Sequence, residues 1–164
     1  ILKFYFIDIK YSSNLFFLSK KLIIVYPKYP MKKIEHIGIA VKNIEEGNKL
    51  YSKILNTQPY KQEKVESENV ITSFFQIGES KIELLQATSE ESAIAKFIEK
   101  KGEGFHHMAY DVENIYTEIA RLKSEGFQFI NETPKKGADN KLIVFLHPKS
   151  TGGVLIELCQ EDNG

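Results

Sequence analysis

Residues 34–41, IEHIGIAV, and residues 105–112, FHHMAYDV, decide how this chain of 164 residues folds. Each alternates in the manner of a strand. In the first, Ile37, Ile39 and Val41 share one face and His36, Gly38 and Ala40 the other; in the second, His107 lies with Ala109 and Asp111, opposite Met108 and Tyr110. The two stretches also align with each other. His36 through Ile44 matches His107 through Ile115 at a constant offset of 71, and Ile82-Glu83-Leu84-Leu85-Gln86 matches Ile156-Glu157-Leu158-Cys159-Gln160 at an offset of 74. The chain therefore contains an internal duplication, which sets the fold before any single element is considered.

Each copy predicts the order β-α-β-β-β. In the first, about 34–87, Asn43 precedes a helix running to about Leu55 with Ile44, Tyr51, Ile54 and Leu55 as its apolar stripe; strands are expected at 59–65, 70–77 and 80–87. A connector follows, with Thr88 and Glu91 in capping-box positions, Ile94, Phe97 and Ile98 at helical spacing, and Gly102 at the stop. In the second copy, about 105–161, Asn114 caps a helix carrying Ile115, Ile119 and Leu122 and ending at Gly126; strands are expected near 127–131, 141–147 and 153–160. The fold class is α+β, with two tandem modules in a single domain over residues 31–164.

Composition excludes several functions. The 22 Lys and Arg balance the 22 Asp and Glu, and one Arg, Arg121, leaves the bidentate donor of phosphate and base-edge recognition nearly absent. Nucleic acid is not an expected partner. A single cysteine, Cys159, excludes an intrachain disulfide framework. The zero net charge is a sum of unlike parts: residues 1–30 hold five lysines and one acid, a net of +4, and residues 31–164 carry −4. The apolar runs of residues 1–30 fall well short of the ~20 residues that span a bilayer, and the order of a secretory signal is missing. The expectation is an extension, upstream or accessory, with the patterned domain opening at Met31 and no membrane partner.

The duplicated positions point to chemistry. A His opens the first strand of each module, His36 and His107, and a Glu sits in the last, Glu83 and Glu157. Gly38, Ala40 and Ala109 leave room beside the histidines, so that face reads as a cavity wall. Carboxylates within apolar strands such as VLIEL are costly unless something compensates them. Two imidazoles and two carboxylates from paired modules suit a divalent ion, and nitrogen with oxygen donors favours Co, Mn, Fe, Ni or Zn over calcium. By strand alternation His106 faces away from this site. His147 reads as a turn residue, and Cys159, on the strand face of Glu157, as a neighbour of the site or a space filler.

With these residues in place, the chain resembles the vicinal-oxygen-chelate, or glyoxalase/bleomycin-resistance, superfamily. HIGIAV, SKIELLQ, GFHHMAYDV and FLHPKSTGGVLIEL are similar to methylmalonyl-CoA epimerases over nearly all of residues 31–161. The resemblance implies a cup-shaped, eight-stranded mixed sheet with a metal inside. It implies His36, His107 and Glu157 as ligands, and Glu83 at a ligand position that other members fill with Gln. It further implies a homodimer in the cytosol or mitochondrial matrix acting on methylmalonyl-CoA. Two alternatives share the scaffold: another metalloenzyme, such as a glyoxalase I (lactoylglutathione lyase) or an extradiol dioxygenase, and a non-enzymatic binding protein of the bleomycin-resistance type.

Inverting the α-carbon of a 2-carboxyacyl thioester requires removing its proton and returning one to the opposite face, through an enolate whose oxygen needs positive charge nearby. The resemblance implies that the ligand position of Glu157 also handles the proton, which makes it the first candidate base. Some epimerases carry a second catalytic Glu in the middle of the third strand, where this chain has Thr72; Glu66 and Glu68 lie earlier, at the preceding turn.

Overall fold

The computed structural model describes residues 31–162. The extension expected over residues 1–30 lies outside the described residues. The first module comprises β1 (Met31–Ala40), α1 (Ile44–Leu55), β2 (Lys61–Val65), β3 (Val70–Ile77) and β4 (Ser80–Ala87). Then come α2 (Ala93–Lys101) and the second module: β5 (Gly104–Val112), α3 (Ile115–Ser124), β6 (Lys135–Lys136), β7 (Lys141–Leu146) and β8 (Leu155–Glu161).

The eight strands form one mixed sheet in the order β2-β3-β4-β1-β5-β8-β7-β6. Each module pairs its first and last strands in parallel, β1 with β4 and β5 with β8, and the modules join through the antiparallel pair β1 and β5. The expected repeat is thus a structural one. Its matched ends do matched work: the Gln86 side chain accepts from the first amide of α1, Ile44 N, at 2.6 Å, and Gln160 does the same for Ile115 N of α3 at 2.8 Å. Asn43 and Asn114 cap these helices as expected, satisfying amides that an isolated helix leaves open.

Helices α1 and α3 cover one face of the sheet. Ile44 packs with Val41, Phe75 and Leu84, and Ile115, Ile119 and Leu122 pack with Val112, Val144, Leu146 and Leu158. Those strand residues alternate with the residues of the opposite, inner face, as the period of two demands. The inner face is closed in. Side chains from β3, β4, β1, β5, β8 and β7 line one cavity of about 210 Å³. Strands lie about 4.8 Å apart, so in a flat sheet β3 and β7 would stand roughly 24 Å from each other; a common cavity requires the sheet to curl into a cup.

Several local expectations are corrected. Ile54 is 63% exposed rather than part of the α1 stripe, because the helix turns Ile44, Gly47, Tyr51 and Leu55 to the sheet. The α2 cap is Ser92, whose Oγ accepts from Ile94 N, and not Thr88, which ends the preceding strand by bonding Asn69 O. Residues 127–131 do not form a strand: Phe129 makes an isolated bridge to Leu146, and pairing with β7 resumes only at Lys135 and Lys136. Between them lies Asn131-Glu132-Thr133-Pro134, and Pro134 has no amide to offer the ladder.

Candidate metal centre

The residues that matter sit on the two central strands and their parallel partners. His36 comes from β1, His107 from β5, Glu83 from β4 and Glu157 from β8, so each module supplies one imidazole and one carboxylate. All four are buried and line the cavity. The two Nε2 atoms stand 2.9 Å apart. Glu83 Oε2 lies 3.3 Å from His36 Nε2 and 3.5 Å from His107 Nε2, and Glu157 Oε2 lies 3.9 and 3.4 Å from the same atoms. Ligand atoms of His36, His107 and Glu157 all fall within 4.8 Å of one another. Gly38 makes this possible: it pairs with His107 across β1 and β5, and its missing Cβ is the space the His107 ring occupies.

The electrostatics fit a cation. Burial acts against charge on His36, yet Glu83, Glu35 and Glu157 raise its pKa to about 9. Burial raises the Glu157 carboxyl above its ordinary range, more than the two histidines lower it, whereas beside the same histidines Glu83 is held below it despite its burial. Two buried carboxylates thus share two imidazoles and, among the described residues, have no lysine paired with them, which is the arrangement that a divalent ion would neutralise. The donor set, two imidazole nitrogens with carboxylate oxygens, matches a borderline transition ion.

Two groups at the site depart from strand alternation. His106, expected to face away, lines the cavity, and its Nδ1 lies 2.9 Å from His107 Nδ1. The cause is a β-bulge: Phe105 and His107 of β5 stand opposite the adjacent residues Ile39 and Gly38 of β1, leaving His106 as the extra residue. Burial, then the neighbouring His107, depress its pKa to about 4. A second bulge in β1 does the same for Glu35, which sequence reasoning missed. Ile34 and His36 oppose the adjacent Tyr110 and Ala109, and the extra residue, Glu35, turns inward to 2% exposure. The available signal was the repeat itself, since Glu35 and His106 are related by the same offset of 71.

The remaining candidates divide. Thr72 is buried on β3 and lines the cavity from the first module. Glu68 also lines it, paired with Lys135, whereas Glu66 pairs with Lys64 away from it. His147 caps a 3₁₀ turn, its Nδ1 accepting from Lys149 N at 3.1 Å, and neither residue lines the cavity. Cys159 packs with Ala109 and Ile143 and donates to Tyr110 O at 3.3 Å, so it fills space. Among the described residues, no helix is long and apolar enough to cross a membrane.

Residues 35–145 match the sequence profile of the Glyoxalase/Bleomycin resistance protein/Dioxygenase superfamily. The mitochondrial methylmalonyl-CoA epimerase of Homo sapiens is 36% identical over 129 residues, 78% of this chain and 73% of that protein. A hypothetical protein of known structure from Bacillus halodurans C-125 is 45% identical with a TM-score of 0.77, covering 80% of this chain and 96% of its own. A methylmalonyl-CoA epimerase solved in complex with methylmalonyl-CoA and NH4+ is 30% identical with a TM-score of 0.78, over 81% of this chain and 96% of that one.

Proposed function

The chain belongs to the glyoxalase/bleomycin resistance/dioxygenase superfamily and, within it, to the methylmalonyl-CoA epimerases, and we propose that it interconverts the (R) and (S) forms of methylmalonyl-CoA. The observation that carries this reading is the meeting of His36, His107, Glu83 and Glu157 within one buried cavity, two residues from each module. These four residues would hold a divalent ion of the Co, Mn, Ni, Fe or Zn class. When bound, the ion supplies positive charge to the oxygen on which the enolate's charge develops.

The chain's own groups handle the proton. In this reading the Glu157 carboxylate accepts the α-proton from one face of the carbon, from its buried position in the cavity wall. Thr72 lines the wall contributed by the first module, and in this reading its hydroxyl would relay a proton to the other face. The apolar lining around them, Val70, Phe74, Leu85, Ile94, Ile143 and Phe145, excludes water from the intermediate. A homodimer in the cytosol or mitochondrial matrix belongs to the same proposal, and sedimentation and cell fractionation test it.

Incubation with methylmalonyl-CoA in deuterated water tests the assignment. Glu157→Gln is expected to fold and to abolish α-proton exchange; wild-type exchange in that variant removes Glu157 from the role. Thr72→Val is expected to exchange deuterium without inversion. If it inverts normally while Glu68→Gln does not, the second role passes to Glu68.

A further inference from the structure

Neither histidine of the centre is held by its Nε2 surroundings alone. With Nε2 facing the other three ligand residues, Nδ1 must carry the hydrogen, and a metal-ligating imidazole commonly donates it to a fixed acceptor. The two bulges provide such partners, and the partners are chemically different. His107 meets the imidazole of His106, whereas His36 meets a carboxylate: Glu35 Oε2 lies 2.6 Å from His36 Nδ1.

Glu35 is itself immobilised. Its Oε1 pairs with Lys81 Nζ and lies 3.5 Å from Lys141 Nζ, both lysines being buried. Lys81 continues to Asp139 Oδ2 at 2.7 Å, and Asp139 bonds Lys61 Nζ at 3.1 Å and Tyr60 Oη at 3.0 Å. The carboxylate that touches His36 is therefore anchored by a chain of charges running from β4 and β7 to the β6–β7 loop. Burying such a chain is poor value for stability, since well-packed apolar residues commonly serve as well or better. Its orientation toward one nitrogen of one ligand is what an apolar replacement cannot reproduce.

We propose that Glu35 is a positioning residue, which holds His36 in the Nδ1–H tautomer with Nε2 aimed at the centre and so sets the affinity of the site for its metal. The proposal rests on reading His36 as a ligand, and the experiment separates the two. Metal-free full-length protein is titrated with Co2+ alone, followed by visible absorption and by competition with a chelator, for the wild type, Glu35→Gln and Glu35→Asp. Metal-free unfolding is recorded in parallel, so that affinities are compared only between folded proteins. Glu35→Gln keeps the size and an acceptor but removes the charge, and is expected to weaken Co2+ binding by roughly 10–100-fold. Glu35→Asp keeps the charge opposite Lys81 and Lys141 but draws the oxygen back from Nδ1, with an expected loss of about tenfold; this variant carries the test if the glutamine protein does not fold. A purely structural Glu35 would lower the unfolding temperature and leave the Co2+ affinity within twofold of wild type, which overturns the proposal. A wild-type chain that binds no Co2+ instead overturns the ligand reading beneath it.

Discussion

Adding one methyl group at Gly38 tests the geometry of the whole centre. Gly38 is not needed for its backbone conformation, since its φ is not among the positive values. A Cβ built on it would lie 2.7 Å from His107 Nε2 and nearer still to Cε1 and Nδ1, whereas ordinary contact begins at 3.4 Å. The ring must then withdraw by about 0.7 Å at Nε2, the atom that faces the other candidate ligands, and by about 1.2 Å at Cε1. It has little freedom to do so, because His107 packs edge-on to Phe145 at 5.7 Å and against His106 at 5.2 Å between centroids. Productive constellations tolerate displacements of about 0.5 Å, and a 1 Å error can cost about 100-fold in rate. Overpacking of this kind costs about 1–3 kcal/mol, and each kcal/mol lowers the Tm of a domain this size by roughly 3–5 °C. Gly38→Ala is therefore expected to lose stability in that range and to lose α-proton exchange by about two orders of magnitude. Thermal unfolding and deuterium incorporation measure the two. Gly47→Ala is the control: its Cβ would meet the Leu84 methyl at 3.1 Å and the Val41 methyls at ordinary contact, 3.4 and 3.5 Å, in a helix that favours alanine. A Gly38→Ala protein with wild-type metal affinity and exchange refutes the placement of His107.

Metal uptake should depend on pH through His36. Its pKa in the metal-free protein is raised from 6.5 to about 9, so binding at neutral pH displaces a proton, and affinity should climb by about tenfold per pH unit until pH approaches 9. The sign for stability is the reverse: this raised pKa stabilises the metal-free fold fully below 6.5 and the contribution is lost as pH rises through about 9. Calorimetry in buffers of different ionisation enthalpy counts the protons, and unfolding at pH 6 and pH 10 checks the second point. At the β6–β7 loop, Asp139→Asn removes a charge while leaving a residue that tolerates the observed φ of +51°. It should cost about 1 kcal/mol, the value of charged hydrogen bonds discounted for partial exposure. Against the effect of burial, Lys81 and Lys61 hold the Asp139 carboxyl below its usual 3.8, so the difference from wild type should vanish as pH falls through the folded pKa. Urea unfolding across the acid range measures it.

Much of the site is legible because the chain says it twice. The offset of 71 between His36 and His107 and of 74 between Glu83 and Glu157 carries the modules, their order of elements and four converging residues without any knowledge of how strands pair. Strand alternation then separates the helix-facing Ile39 and Leu84 from the inward His36 and Glu83, and burial agrees. What alternation cannot anticipate is a bulge, because an extra residue in one strand is defined only against the partner strand. For that reason Glu35 and His106 acquire their inward direction from the register of β1 on β5, not from their own neighbours in sequence. The capping of α2 by Ser92 rather than Thr88 goes with a long-range contact, since Thr88 N is held by Asn69 O at the end of β4, whereas the gap before Lys135 is local, because Pro134 has no amide to offer the ladder. The sequence by itself determined the duplicated α+β architecture and the residue types of the centre, since both follow from periodicity and repetition along the chain. Only the tertiary structure decided which nitrogen of each histidine faces the centre and what stands behind the other, because those contacts join residues whose meeting depends on how one strand is registered against the next.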